Sequence, residues 1–141
     1  MIQRFIRNQL VDEFDYLEWT IDYKSSNGNY GAVYYDGGDT PDRNDTNARH
    51  MNYQIVIEHS DFELAERTAY SVRDKIHGIL NVQTKHFDRC IFVQYIYAES
   101  EPIRVGVIDD KMIYTLNFNA LVNFCYMTYS FTFVKHFILS Q

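Results

Sequence analysis

Four aspartates, Asp36, Asp39, Asp42 and Asp45, recur at every third position of the chain. A row of carboxylates could gather a hard cation such as calcium, which takes many oxygen ligands. The spacing is not that of a helix–loop–helix calcium loop, and Pro41 breaks the row. A solvated acidic loop accounts for it more simply. Its functional alternative is electrostatic, a set of fixed negative charges that repels a passing polyanion. The other residue types that carry chemistry are scattered. His50, His59, His77, His86 and His136 show no zinc spacing with a cysteine or with one another. Asp109 and Asp110 suit a turn between strands better than a catalytic carboxylate pair. Ser60 reads as a helix cap and so is a poor nucleophile candidate. Gly37-Gly38 lacks the lysine and the helix of a phosphate-binding loop. No catalytic, cofactor-binding or metal-ligating set emerges, and the chain is read as a protein that is not an enzyme and uses no cofactor.

Cys90 and Cys125 lie in apolar, strand-like surroundings, where a reduced thiol behaves as a small hydrophobe. Tyrosine-rich strands could stack single-stranded bases, but that use needs basic flanks. Lys85, His86, Arg89 and Arg104 are a thin supply. Contacts between subunits are the more ordinary use. Gln94, Asn117 and Asn119 on polar strand faces, and Arg67 and Arg73 on an exposed helix face, are the candidate interface residues, with Tyr129, Phe131 and Phe133 in the C-terminal segment.

The elements that would position these residues follow from composition and periodicity. The 141 residues are 46% hydrophobic and 16% aromatic, with 12 Tyr and 10 Phe, which describes a globular chain with strand-forming side chains. The length fits one domain spanning 1–141. The formal charge of −6 argues against a protein that grips nucleic acid along its phosphates. No stretch reaches the ~20 apolar residues of a membrane span, and residues 1–10 do not read as a signal peptide. The chain is therefore expected in the cytoplasm at synthesis.

Ile2, Phe5, Ile6, Leu10 and Phe14 predict a short amphipathic helix over 2–14. Residues 15–30 are mixed, and 31–35 predict a strand. Residues 36–50 contain almost nothing apolar and read as a long polar loop. Residues 53–59 predict a strand. Ser60 followed by Glu63 has the form of a capping box, and Phe62, Ala65, Ala69, Val72, Ile76 and Ile79 continue it as one helical stripe. Gly78 and Asn81 are stop signals. Residues 87–97 predict a long strand, 103–107 a short edge strand after Pro102, and 112–122 a strand whose apolar and mostly polar faces separate with period two. Residues 126–139 alternate weakly and are too apolar to be left in water. The fold class is α+β: a mostly antiparallel sheet, one long helix packed on it and a short N-terminal helix.

Residues 51–122 carry a family resemblance. Asn52 to Ile57 (NYQIVI), Asp61 and residues 65–70 (AERTAY), then residues 95–98 (YIYA), Glu101-Pro102-Ile103, Gly106 and residues 114–120 (YTLNFNA), resemble the tail-terminator or minor capsid proteins of long-tailed phages. In that family proline and glycine sit in a short segment between two long strands, and an acidic turn precedes the last strand. The segment 36–50 and the extension 123–141 have no counterpart in it. The resemblance implies a structural virion protein: a subunit that forms a ring with itself, commonly a homohexamer. Such a ring sits on the last ring of tail-tube protein at the head–tail junction and offers a surface to the head-connector protein. DNA passes through the lumen as cargo only, and no membrane is involved. Six such acidic subunits would carry on the order of −36 charges, so that DNA does not stick. The loop with Asp36, Asp39, Asp42 and Asp45 would then face the lumen or the partner ring. The rival readings are another head–tail connector or tail-tube protein and, from a different class, a small metal-dependent enzyme.

Overall fold

The computed structural model describes residues 1–25, 28–40, 43–44 and 47–125. The chain opens with helix α1 (Gln3–Leu10) and strand β1 (Glu18–Ile21), followed by β2 (Tyr30–Gly38) and β3 (Arg49–His59). Helix α2 (Phe62–Ile76) comes next, and then β4 (Ile79–His86), β5 (Arg89–Ala98), β6 (Ile103–Ile108) and β7 (Lys111–Phe124). All seven strands form one sheet in the order β1-β2-β3-β7-β5-β4, with β6 also beside β7. The β1 and β2 strands pair in parallel, and the other pairings are antiparallel. The class is α+β, with a curled, mixed sheet.

Strand β7 organises the sheet. It pairs with the whole of β3, from Met112 opposite His59 to Val122 opposite Arg49. Its other edge is shared: β6 takes the first half and β5 the second. The alternation of its sequence is the cause. Met112, Tyr114, Leu116, Phe118, Ala120 and Val122 are all buried on one face, as period two requires. Met51, Tyr53, Ile55 and Ile57 of β3 continue that face. Both helices cover it. Ile6 and Leu10 of α1 and Ala65, Ala69, Val72 and Ile76 of α2 are completely buried. The two alanines and Thr68, also buried, keep the facing side of α2 shallow, which suits close packing on a sheet. Each large apolar side chain buried here contributes on the order of 1.5–3 kcal/mol.

Several sequence expectations need correction. The N-cap of α2 is Asp61, whose side chain accepts from the Leu64 N–H at 3.1 Å; the Ser60 N–H is instead held by Asn29 Oδ1 at 2.9 Å. Phe62, expected in the buried stripe, is 45% exposed, and Ile79 lies beyond the helix in β4. Gly78 does follow the helix end in left-handed backbone, at φ +87°, whereas Asn81, expected as a second stop, lies inside β4 at φ +54°, unpaired between Leu80 and Val82. The strand expected over 87–97 starts at Arg89, and residues 79–86 form a strand of their own that pairs with it. Strand β1 was hidden in the mixed stretch 15–30 because four residues are too few for a periodicity. The polar loop 36–50 is shorter than expected: β2 continues to Gly38 through an irregularity, and β3 begins at Arg49. Cys90 and Cys125, expected as free thiols, form a disulfide. The register that sets Ile91 opposite Phe124 brings the two cysteines side by side, with Cα atoms 5.1 Å apart.

Candidate functional site

With both helices on one face, the second face of the sheet carries no helix among the described residues. Its centre is a set of amides. The register pairs Asn52 with Asn119 and Gln54 with Asn117. Asn119 Nδ2 donates to Asn52 Oδ1 at 2.8 Å and Gln54 Nε2 to Asn117 Oδ1 at 3.1 Å. Further along, Gln94 Nε2 donates to Asn123 Oδ1 at 2.5 Å, next to the irregularity between Val93 and Tyr95. The Tyr95 and Tyr97 rings lie 5.2 Å apart on the same face, tilted by 33°. The result is a neutral, polar, aromatic surface whose side chains bond chiefly to one another across the strands. Three of the residues expected at an interface, Gln94, Asn117 and Asn119, belong to it.

One end of that face holds a buried acid that sequence reading missed. Glu58 is only 2% exposed. Lys24 approaches it at 3.6 Å. Burial first, and then the Glu58 carboxylate that its hydroxyl bonds, push the Tyr30 phenol far above its ordinary range, so Tyr30 keeps its proton. The arrangement is a carboxylate held by the Tyr30 hydroxyl and the Lys24 ammonium. Its signal in the sequence was a glutamate at the end of an otherwise apolar strand, YQIVIE.

The charged candidates on α2 are already engaged within the chain. Arg67 pairs with Glu63 at 3.0 Å one turn earlier. Arg73 bonds Asp74 at 2.9 Å and Glu101 at 2.8 Å, which ties the helix to the turn before β6. Of the acidic row, Asp36 lies in β2 and Asp39 just after it; both are exposed, and the Asp39 N–H donates to the His50 carbonyl at 3.0 Å. Asp42 and Asp45 lie outside the described residues, as do Tyr129, Phe131 and Phe133. Among the described residues no group of three or more His, Cys, Asp or Glu is placed to hold a metal ion, and no helix is long and apolar enough to cross a membrane.

Among the described residues, large apolar side chains are exposed at several places, Tyr23 and Leu80 among them, and two of these bear on assembly. The first is β6, where Ile103, Val105, Val107 and Ile108 are each about half exposed, at 47–53%. This strand pairs only with β7 among the described strands. An apolar strand with an open edge is a template for another chain. Periodicity alone could not reveal it, because a strand with five of its six residues exposed and a buried one read alike. The second is the turn between β4 and β5, where Phe87 is 87% exposed. Among the described residues, a surface of amides bonded across the strands, with Asn119 Oδ1 left without a partner, and of bare apolar strand edges can bind other protein chains.

No family model matches the chain, and no curated protein matches it. Among solved structures, it is similar to a chain of the virion of a native gene transfer agent particle, with a TM-score of 0.52 at 19% identity, over 74% of this chain and 78% of that one. At this identity the likeness is one of fold.

Proposed function

We propose that this chain is a non-catalytic structural protein of a phage-like virion, a ring-forming subunit that ends the tail tube and joins it to the head connector. The observation that carries the reading is the fold it shares with a chain of a gene transfer agent virion, over about three quarters of both chains. Two surface properties agree with it. The bare apolar edge of β6 suits a neighbour of its own kind. The amide-rich face and the formal charge of −6 suit a lumen through which DNA slides without being held.

The test is assembly. Purified chain is examined by light scattering and electron microscopy, alone and with tail-tube protein. A terminator stops at one layer and caps tubes, and a ring of six is the expected size. Long stacks would make the chain a tube subunit instead, and a chain that stays solitary and never caps tubes would sink the reading. Replacing Asp36, Asp39, Asp42 and Asp45 by Asn tests the lumen role of the acidic segment: the loss of repulsion should hinder DNA passage while rings still form.

A further inference from the structure

We infer that the two ends of the sheet are the two halves of one contact between copies of this chain: the β6–β7 turn of one copy seats in the cleft beside the β4–β5 turn of the next. This rests on the ring-forming reading and names the surfaces that would build the ring.

The receiving end is marked by Phe87. This residue has φ +55°, a left-handed conformation that a bulky side chain disfavours and that Asn or Gly adopts freely. Its ring is also 87% exposed, with the His86 imidazole 4.4 Å away. A backbone cost and an exposed aromatic at one position, in a turn where Asn would relieve both, point to use by a partner. Beside it lies an open cleft of about 350 Å³, walled by Arg4, Ile21, Lys85, His86 and Phe87. Arg4 and Lys85 make the wall cationic. The acids near it are Asp88, in the turn itself, and Asp22, which already accepts from Gln3 Nε2 at 2.7 Å and from the Tyr35 N–H at 3.1 Å. Arg89 is spread over the Phe124 ring, 3.8 Å from its centre, and stiffens the base of the turn.

The entering end is the opposite in charge and alike in polarity. Asp109 and Asp110 form its tip at φ +52° and +62°, the pair of left-handed residues that a tight two-residue hairpin turn requires. Val107 and Ile108 lie directly behind them, both half exposed. Lys111, next in the chain, makes no ion pair with the tip; its ammonium donates to the Gly28 carbonyl at 2.5 Å. The tip is therefore two carboxylates on an apolar stem, and the cleft sets Arg4, Lys85 and the Met1 ammonium around Phe87, His86 and Ile21, with Gln3 beside them.

Topology makes this a contact between molecules. Strand β7 starts at the acidic turn and ends at Phe124, opposite Ile91 and so next to the β4–β5 turn. Its 14 residues hold the two ends roughly 45 Å apart at ~3.4 Å per residue. One chain cannot close on itself. Like ends repel, so the pairing is head to tail, and a head-to-tail contact repeats into a ring or a filament.

Sedimentation velocity on the full chain tests this with two variants. Phe87→Asn removes the aromatic and suits the positive φ, so its melting temperature should equal or exceed that of the parent. Ile108→Thr/Asp110→Asn keeps a β-branched residue in β6 and a turn residue at 110. Each variant alone should associate at least about tenfold more weakly than the parent. An equimolar mixture should recover a pair and nothing larger, because one intact aromatic end then meets one intact acidic end. If the parent assembles and both variants assemble equally well, the contact lies elsewhere and the ring reading survives without this inference. If both variants fail and their mixture yields no pair, the head-to-tail pairing is wrong. If the parent is monomeric alone and with tube protein, both proposals fall together.

Discussion

The Nδ1 atom of His59 accepts a hydrogen bond from the backbone N–H of Asp61 at 2.9 Å. An imidazole can do this only when that nitrogen carries no proton. His59 closes β3, Asp61 caps α2, and so the junction between the central strand and the long helix depends on a neutral histidine. Burial holds the His59 imidazole below the usual histidine range; the nearby Asp61 carboxylate opposes this and Lys111 reinforces it. In the unfolded chain the ring takes up its proton near pH 6.5, whereas the folded protein resists it until lower pH. The unfolded state therefore binds more protons in that window, and stability is lost as pH falls from about 6.5 through the folded value. Thermal melts between pH 7 and 5 should show the decline. His59→Asn, whose side-chain oxygen can still accept from Asp61, should flatten it. An unchanged slope in that variant would assign the effect to other groups.

A second prediction concerns the parallel pair at the sheet edge. Trp19 lies opposite Gly31, and a Cβ built on Gly31 would fall 2.5 Å from Trp19 Cζ3. The indole cannot simply swing away, because its Nε1–H donates to the Phe14 carbonyl at 2.9 Å. Gly31→Ala should therefore destabilise by about 1–3 kcal/mol, as overpacking does. Urea denaturation measures it, and a loss well under that range would mean that the ring has room to move.

The start of α2 gives a comparison within one helix. Asp61→Ala removes the oxygen that holds the Leu64 N–H and should cost about 1 kcal/mol. Ser60→Ala removes no cap, since Ser60 is fixed through its own N–H by Asn29, and should stay within about 0.5 kcal/mol of the parent. Equal costs at the two positions would return the cap to Ser60.

The Cys90–Cys125 bond closes a loop across a sequence separation of 35 and links the start of β5 to the end of β7. Its loss should cost on the order of 2–4 kcal/mol by the loop-entropy argument. Oxidised protein should melt at a lower temperature after reduction, and Cys125→Ser should abolish the difference. Peptide mapping without reductant should recover the linked pair, and two alkylated thiols in fully oxidised protein would exclude it.

The parts of the fold legible in the sequence are those where one local period operates for many residues. Strand β7 shows its two faces over 14 residues, and α2 shows its buried stripe from Ala65 to Ile76 because 3.6-residue spacing repeats there for three turns. The strand after Pro102 and the acidic turn at Asp109 and Asp110 were legible for a similar reason: proline and paired aspartates restrict the backbone locally. Strands β1 and β4 were not. The first is too short to show a period, and the second alternates weakly and turns through Phe87, where a turn residue would have announced the hairpin.

Taken alone, the sequence determined a sheet-and-helix chain with an apolar strand face, a capped amphipathic helix, an acidic charge and no motif for catalysis. Only the tertiary structure decided which strands lie side by side. Register is a long-range property, set by how whole faces bury together and not by neighbours in the chain. That register aligned Asn52 with Asn119, brought Cys90 to Cys125, and carried Phe87 and the Asp109–Asp110 turn to opposite ends of β7. The surfaces proposed for assembly exist because of it.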